Sequence, residues 1–184
     1  WLQRGYQFYH ADREKKKQDY TPVALARLVS FLSYTPNEKV VYDCCAGSGA
    51  LTIQKWSANP ELKFVCEELD EKVLPILLFN LCIRNIEATV INKNILTGEI
   101  ICSYKTHKGF IYACVQRLMF PETELMKADV SISNPPFNLK VSVSETIIKD
   151  LPQKYTCNFA FVAHCLQRSD RCALILPRGV LTSK

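Results

Sequence analysis

Glycine is scarce in this chain, at 6 of 184 residues, and histidine (3) and methionine (2) are scarcer still. Low-complexity and disordered chains lean on glycine and polar residues, whereas 48% of this chain is apolar. A disordered class is therefore excluded and one globular domain with a real core is expected. Nine cysteines are present, but no C-x-x-C pair. A zinc site needs paired ligands a few residues apart, so no metal is expected. Cys66, Cys82, Cys165 and Cys172 sit among apolar neighbours, as buried reduced thiols of a cytoplasmic protein would. No apolar run reaches the ~20 residues of a membrane span. Asp70, Glu71 and Arg84 flank the greasiest stretch, Val73 to Ile83. No cationic-then-apolar leader is present, so neither membrane insertion nor secretion is expected. The first residue is Trp1 rather than Met, which leads us to expect a fragment of a longer protein.

Charge of one sign is also modest. Lys plus Arg is 23 against 18 Asp plus Glu, a net +5. That surplus permits an anionic partner without demanding one. The only dense basic run, Lys15 to Lys17, reads either as a phosphate-contacting patch or as a solvated loop.

What is there is an alternation of strands and helices. Thr21-Pro22 reads as an N-cap with proline at the first helical position. Leu25, Leu28, Val29 and Leu32 follow at helical spacing, predicting one apolar face to about Tyr34. Strands are predicted at 39–43, 63–69, 88–92, 128–133 and 173–177, with helices at 51–56, 71–84 and 157–167. Pro75 implies a helix start or kink near that residue. Residues 98–126 hold short β-like pieces at 100–104 and 110–115 and read as an inserted hairpin. Such alternation predicts an open, mostly parallel sheet with helices on both faces. Ligands of such sheets bind at the carboxyl ends of the strands, near the switch point.

Three of those ends carry motifs. Asp43-Cys-Cys-Ala-Gly-Ser-Gly49 follows the first strand, where Gly47 and Gly49 allow a tight turn and close approach to a ligand. A phosphate loop would carry Lys-Ser/Thr after the glycines, and a dinucleotide loop a third glycine where Thr52 stands. Asp43 would instead welcome a cationic or hydroxylated cofactor; a plain structural turn is the alternative. Glu67-Glu68-Leu69-Asp70 closes the second strand about twenty residues on, where a carboxylate commonly holds a ribose diol. Alternatively Asp70 caps the next helix and both glutamates are exposed. Asn134-Pro-Pro-Phe137 closes the fourth strand. Two prolines stop it abruptly, making the Asn134 amide oxygen and the Pro135 carbonyl rigid acceptors beside the Phe137 ring. Two acceptors and a stacking ring suit the exocyclic amine of a nucleobase taken out of its helix.

With those residues named, a resemblance becomes specific. The glycine loop resembles the S-adenosylmethionine loop of class I methyltransferases. Asn134-Pro-Pro-Phe137 resembles the catalytic tetrapeptide of N6-adenine DNA methyltransferases, above all the modification subunits of type I restriction–modification systems. Asp19-Tyr-Thr-Pro22 resembles that family's Tyr-Thr-Pro element, and Phe137-Asn-Leu-Lys140 and Asn158-Phe-Ala-Phe161 to Pro177-Arg-Gly-Val180 its later segments. The likeness spans about 18–181, in the γ-type motif order. There are departures. Cys44-Cys45-Ala46 replaces the usual Pro-Ala-Cys, and Asn94 stands where an Asp often contacts the cofactor's adenine amine. An amide oxygen can still accept that bond, more weakly.

The resemblance implies a Rossmann-like fold that stops before the family's last strands. It implies a single catalytic core over 1–184, with 1–18 as lead-in. It implies methyl transfer from S-adenosylmethionine to N6 of adenine in double-stranded DNA, with a specificity subunit and a restriction subunit as partners. Asn134, Pro135, Pro136 and Phe137 would be catalytic. Tyr20, Thr21, Pro22, Asp43, Cys45, Gly47, Gly49, Glu68, Leu69 and Asn94 would hold the cofactor. Methyltransferases of RNA or of protein glutamine share the tetrapeptide, and a non-catalytic cofactor-binding scaffold is a third reading.

Overall fold

The structure, a computed structural model, describes residues 21–119, 127–137 and 157–181. Its elements run α1 (Val23–Leu32), β1 (Val40–Asp43), α2 (Ala50–Ala58), β2 (Lys63–Glu68), α3 (Leu74–Cys82) and β3 (Ala88–Lys93). They continue with β4 (Ile100–His107), β5 (Cys114–Leu118), β6 (Val130–Ser133), α4 (Cys157–Arg168), β7 (Cys172–Leu174) and a 3-10 turn (Arg178–Leu181). The described strands form one seven-stranded sheet in the order β5-β4-β3-β2-β1-β6-β7. β3, β2, β1, β6 and β7 are mutually parallel, and β4 and β5 are antiparallel.

Strand order reverses direction between β1 and β6. Asp43 at the end of β1 is in register with Ile132, one residue before the end of β6. The expected motifs therefore meet at the switch point, the crevice such sheets use for ligands.

Packing follows from the strands' two-residue period. On β1, Val41 joins a core cluster with Ala26 and Val29 of α1, Leu51 of α2, and Leu74, Leu77 and Leu81 of α3. Its neighbour Tyr42 joins a second cluster with Phe161 and Cys165 of α4. Helices thus cover both faces. Every residue of β3 is buried, as a central strand of a two-sided sheet requires. Pro75 lies in the first turn of α3, where its missing N–H costs no helical bond.

Three expectations need correction. First, Pro22 is the N-cap of α1 with no side-chain capping bond, so neither Thr21 as cap nor proline at the first helical position is seen. Second, the buried face of α1 is Ala26, Val29 and Ser30, while Leu28 and Leu32 are exposed. The apolar set was broad enough for two faces, and the sheet takes the one with small residues, which lets α1 approach α2. Third, the hairpin turn falls over residues expected as strand. The Asn85 amide donates to the Gly109 carbonyl and accepts from its N–H, both at 2.8 Å, so the chain turns there and β5 starts at Cys114. β4 and β5 lengthen the sheet beyond β3; residues 120–126 lie outside the described set.

Candidate active site

The turn after β1 is built around a buried acid. Asp43 is 1% exposed. Its oxygens accept from the Thr52 hydroxyl on α2 and the Ser133 hydroxyl on β6, each at 3.2 Å, and more distantly from the Cys45 N–H. Ser133 Oγ also accepts from the Cys45 N–H at 3.0 Å, stitching the loop to β6. Thr52, at the place of a third glycine, is thus a partner of Asp43. Burial pushes the Asp43 carboxyl up to about 8, helped by Cys44 and opposed by those hydrogen bonds. Gly47 and Gly49 both have positive φ, +55° and +88°. A Cβ on Gly49 would stand 3.0 Å from Leu77 Cδ1, so that glycine serves packing. A Cβ on Gly47 would meet open space, as a ligand-facing turn requires.

Glu68 closes β2 opposite this turn. Its Oε2 accepts from the Gly47 N–H and its Oε1 from the Asp70 N–H, both at 2.8 Å. Burial raises its carboxyl, partly offset by those two donors. Leu69 beside it is 51% exposed, an apolar surface left uncovered at the crevice. The Asn92 amide, fully buried on β3, donates to the Glu68 and Leu69 carbonyls at 2.8 and 3.0 Å and so holds the β2 turn in place. Asn94, expected to face the cofactor's adenine, spends its amide oxygen on the Leu96 and Thr97 N–H groups at 3.1 and 3.4 Å.

At the end of β6, Asn134 Nδ2 donates to Thr21 Oγ1 at 3.0 Å, across 113 positions of sequence. Asn134 Oδ1 is buried with no hydrogen-bond partner among the described residues. Pro135 is buried, and Pro136 and Phe137 are half-buried. Pro22 is exposed. Tyr20, the basic run 15–17 and Asn138 to Lys140 lie outside the described residues.

Sequence reasoning overlooked a buried ionic group just behind the crevice. Glu67 is fully buried rather than exposed. It accepts from the Tyr42 hydroxyl at 2.6 Å and from Lys93 Nζ at 3.0 Å, and His164 Nε2 lies 3.4 Å away. Burial alone would raise its carboxyl, but His164, Lys93 and Tyr42 outweigh burial and hold it down at about 2. The available signal was the acid's position inside a strand bounded by apolar residues. Among the described residues no three His, Cys, Asp or Glu side chains are placed to hold a metal, and no helix is long and apolar enough to cross a membrane.

Comparisons with known proteins bear on this geometry. A family model described as N-6 DNA Methylase matches residues 6–184. The methylase subunit of the type I restriction enzyme MjaVIII from Methanocaldococcus jannaschii is 21% identical over 168 residues, covering 84% of this chain. Those residues are 27% of that protein, so the chain spans about a quarter of its length. The type I restriction–modification methyltransferase subunit of Streptococcus thermophilus superposes with a TM-score of 0.65 at 21% identity, covering 88% of this chain and 35% of that one. A modification subunit of a candidate type I restriction enzyme from Vibrio vulnificus gives 0.66 at 17% identity, covering 100% and 38%. At such identities the structures show a shared fold, the class I Rossmann-like methyltransferase sheet. The family match extends over nearly the whole chain, and the chain belongs to the N-6 DNA methylase family.

Proposed function

We propose that this chain is the catalytic core of a modification subunit that methylates N6 of adenine in DNA, using S-adenosylmethionine. The observation that carries the reading is the amide of Asn134. It stands at the sheet's switch point with its oxygen buried and unpartnered among the described residues, and its nitrogen bound to Thr21. An orphaned buried acceptor costs free energy unless a donor arrives, and the N6 amine of an extruded adenine is such a donor.

The residues present also fit the cofactor. Gly47 has open space over its Cα, Glu68 presents a carboxylate fixed on one side by backbone N–H groups, and Leu69 is exposed beside it. Glu68 would hold the ribose hydroxyls, Leu69 the adenine face, and the turn around Gly47 the methionine end. Bound there, the cofactor supplies an electrophilic methyl group on its sulfonium.

Asn134 Oδ1 and the Pro135 carbonyl would accept the two N6 hydrogens. Accepting both would draw the N6 lone pair out of conjugation with the ring and leave it nucleophilic, with the displaced N6 proton passing to solvent. Phe137 would stack on the base, a contact worth about 1–3 kcal/mol by analogy with single-strand binding. The residues contribute position and preorganised dipoles rather than a strong base. The proposal extends to a cytoplasmic location and to a specificity subunit and a restriction subunit as partners; relatives named as methylase subunits of type I restriction enzymes support the assembly.

The test is transfer of labelled methyl from S-adenosylmethionine by the full-length protein with its specificity subunit, to unmethylated genomic DNA and to RNA. Label in N6-methyladenine of DNA, lost in Asn134→Ala while cofactor binding persists, is the expected result. Label in RNA or in protein, or full activity of Asn134→Ala, overturns the proposal.

A further inference from the structure

We infer that Thr21 is a positioning residue that holds the Asn134 amide with its oxygen toward the acceptor site, an inference that rests on the proposed role of Asn134. The two prolines after Asn134 stiffen its backbone but leave its terminal torsion untouched. That torsion is broad and nearly two-fold, so a half turn exchanges the amide oxygen for its NH2 group. With oxygen forward, Asn134 accepts from an exocyclic amine. With nitrogen forward, donors face donors and the site repels the group it is built to take. The oxygen stays forward only if the other end of the amide is anchored.

Thr21 anchors it. Its Oγ1 accepts from Asn134 Nδ2 at 3.0 Å, while Asn134 Oδ1 has no partner among the described residues. Thr21 is 9% exposed, so the bond is shielded from competing water. Its hydroxyl is not spent on the helix it precedes, because α1 is capped by Pro22 without a side-chain bond. Proline after it restricts the backbone that carries the hydroxyl. The Tyr-Thr-Pro element would then act on the acceptor side of the crevice, through a residue 113 positions away.

The experiment compares Thr21→Val, Thr21→Ser and Asn134→Ala in the full-length protein. It measures methyl transfer to unmethylated genomic DNA at saturating S-adenosylmethionine, and cofactor affinity by isothermal titration. Thr21→Val keeps the side chain's shape and removes the hydroxyl that anchors the amide; turnover should fall about tenfold or more. Thr21→Ser, which restores the hydroxyl, should recover turnover to within about threefold of the parent. Saturation separates this from a cofactor contact, whose loss raises the dissociation constant and leaves saturated turnover intact. That pattern in Thr21→Val would overturn the inference, as would a Ser variant no faster than Val. Should Val disturb folding, seen in its thermal melt, Thr21→Ala carries the same comparison without a new methyl group. Full turnover by Asn134→Ala defeats the proposed function itself. A dead Asn134→Ala beside a fully active Thr21→Val defeats only the role of Thr21.

Discussion

The backbone N–H of Gly47 donates to Glu68 Oε2 at 2.8 Å, tying the glycine turn after β1 to the end of β2. The carboxylate's other oxygen takes the Asp70 N–H. Two backbone donors thus orient Glu68 before any ligand arrives, with Leu69 exposed beside it. Glu68→Ala should weaken S-adenosylmethionine binding by about 1–3 kcal/mol, the usual loss for hydrogen bonds to a charged group. Isothermal titration measures it. An unchanged affinity would move the ribose to another residue, and Glu67, fully buried on Lys93 and Tyr42, is not available for it.

The two glycines of the loop should separate stability from binding. Gly49→Ala meets Leu77 at 3.0 Å with φ at +88°, and should lower stability by about 1–3 kcal/mol. Gly47→Ala meets nothing and carries only the left-handed penalty, about 1–2 kcal/mol, but puts a methyl group where the ligand would lie. Thermal melts should rank Gly49→Ala as the less stable, and titration should rank Gly47→Ala as the weaker binder.

Asp43 makes folding pH-dependent. Its carboxyl is raised from 3.8 to about 8, so the folded chain keeps a proton that the unfolded chain has released. This contribution to stability is fully present below 3.8 and is lost as pH rises through about 8. Asp43→Asn should flatten that slope and gain stability relative to the parent as pH rises. Urea unfolding across this range decides it; parallel curves for the two proteins would mean that Asp43 is ionised throughout.

Glu67 has the opposite sign. Its carboxyl is held at about 2, so its contribution is present above the ordinary 4.5 and is lost as pH falls toward 2. Glu67→Gln leaves Lys93 buried without its partner, a loss on the order of 3–5 kcal/mol near neutral pH. The gap to the parent should narrow in acid. A variant as stable as the parent at pH 7 would show that Lys93 finds another partner.

Asn94 should behave as a turn residue. With its oxygen bound to Leu96 and Thr97, Asn94→Ala should cost about 1 kcal/mol of stability, as capping losses do. It should also weaken cofactor binding less than Glu68→Ala. A larger loss of affinity than Glu68→Ala would return Asn94 to the adenine amine.

Much of this was legible in the sequence, because strand ends, glycine turns and the Asn-Pro-Pro stop are local. Each is set by the dihedral limits of a few adjacent residues, and the alternation of elements determined the parallel sheet around them. What only the tertiary structure decided are matters of direction. Glu67 and Glu68 are adjacent on one strand, so the two-residue period sends them to opposite sides, and only the sheet's neighbours say which side is buried. α1 offered two apolar faces, and packing against α2 and the sheet chose Ala26 and Val29. Asn92 and Asn94 are the same residue type two positions apart, yet one clamps the β2 turn and the other its own loop. The meeting of Thr21 with Asn134 lies furthest from sequence, since a single hydrogen bond across 113 positions leaves no local pattern and exists only once β6 lies beside β1.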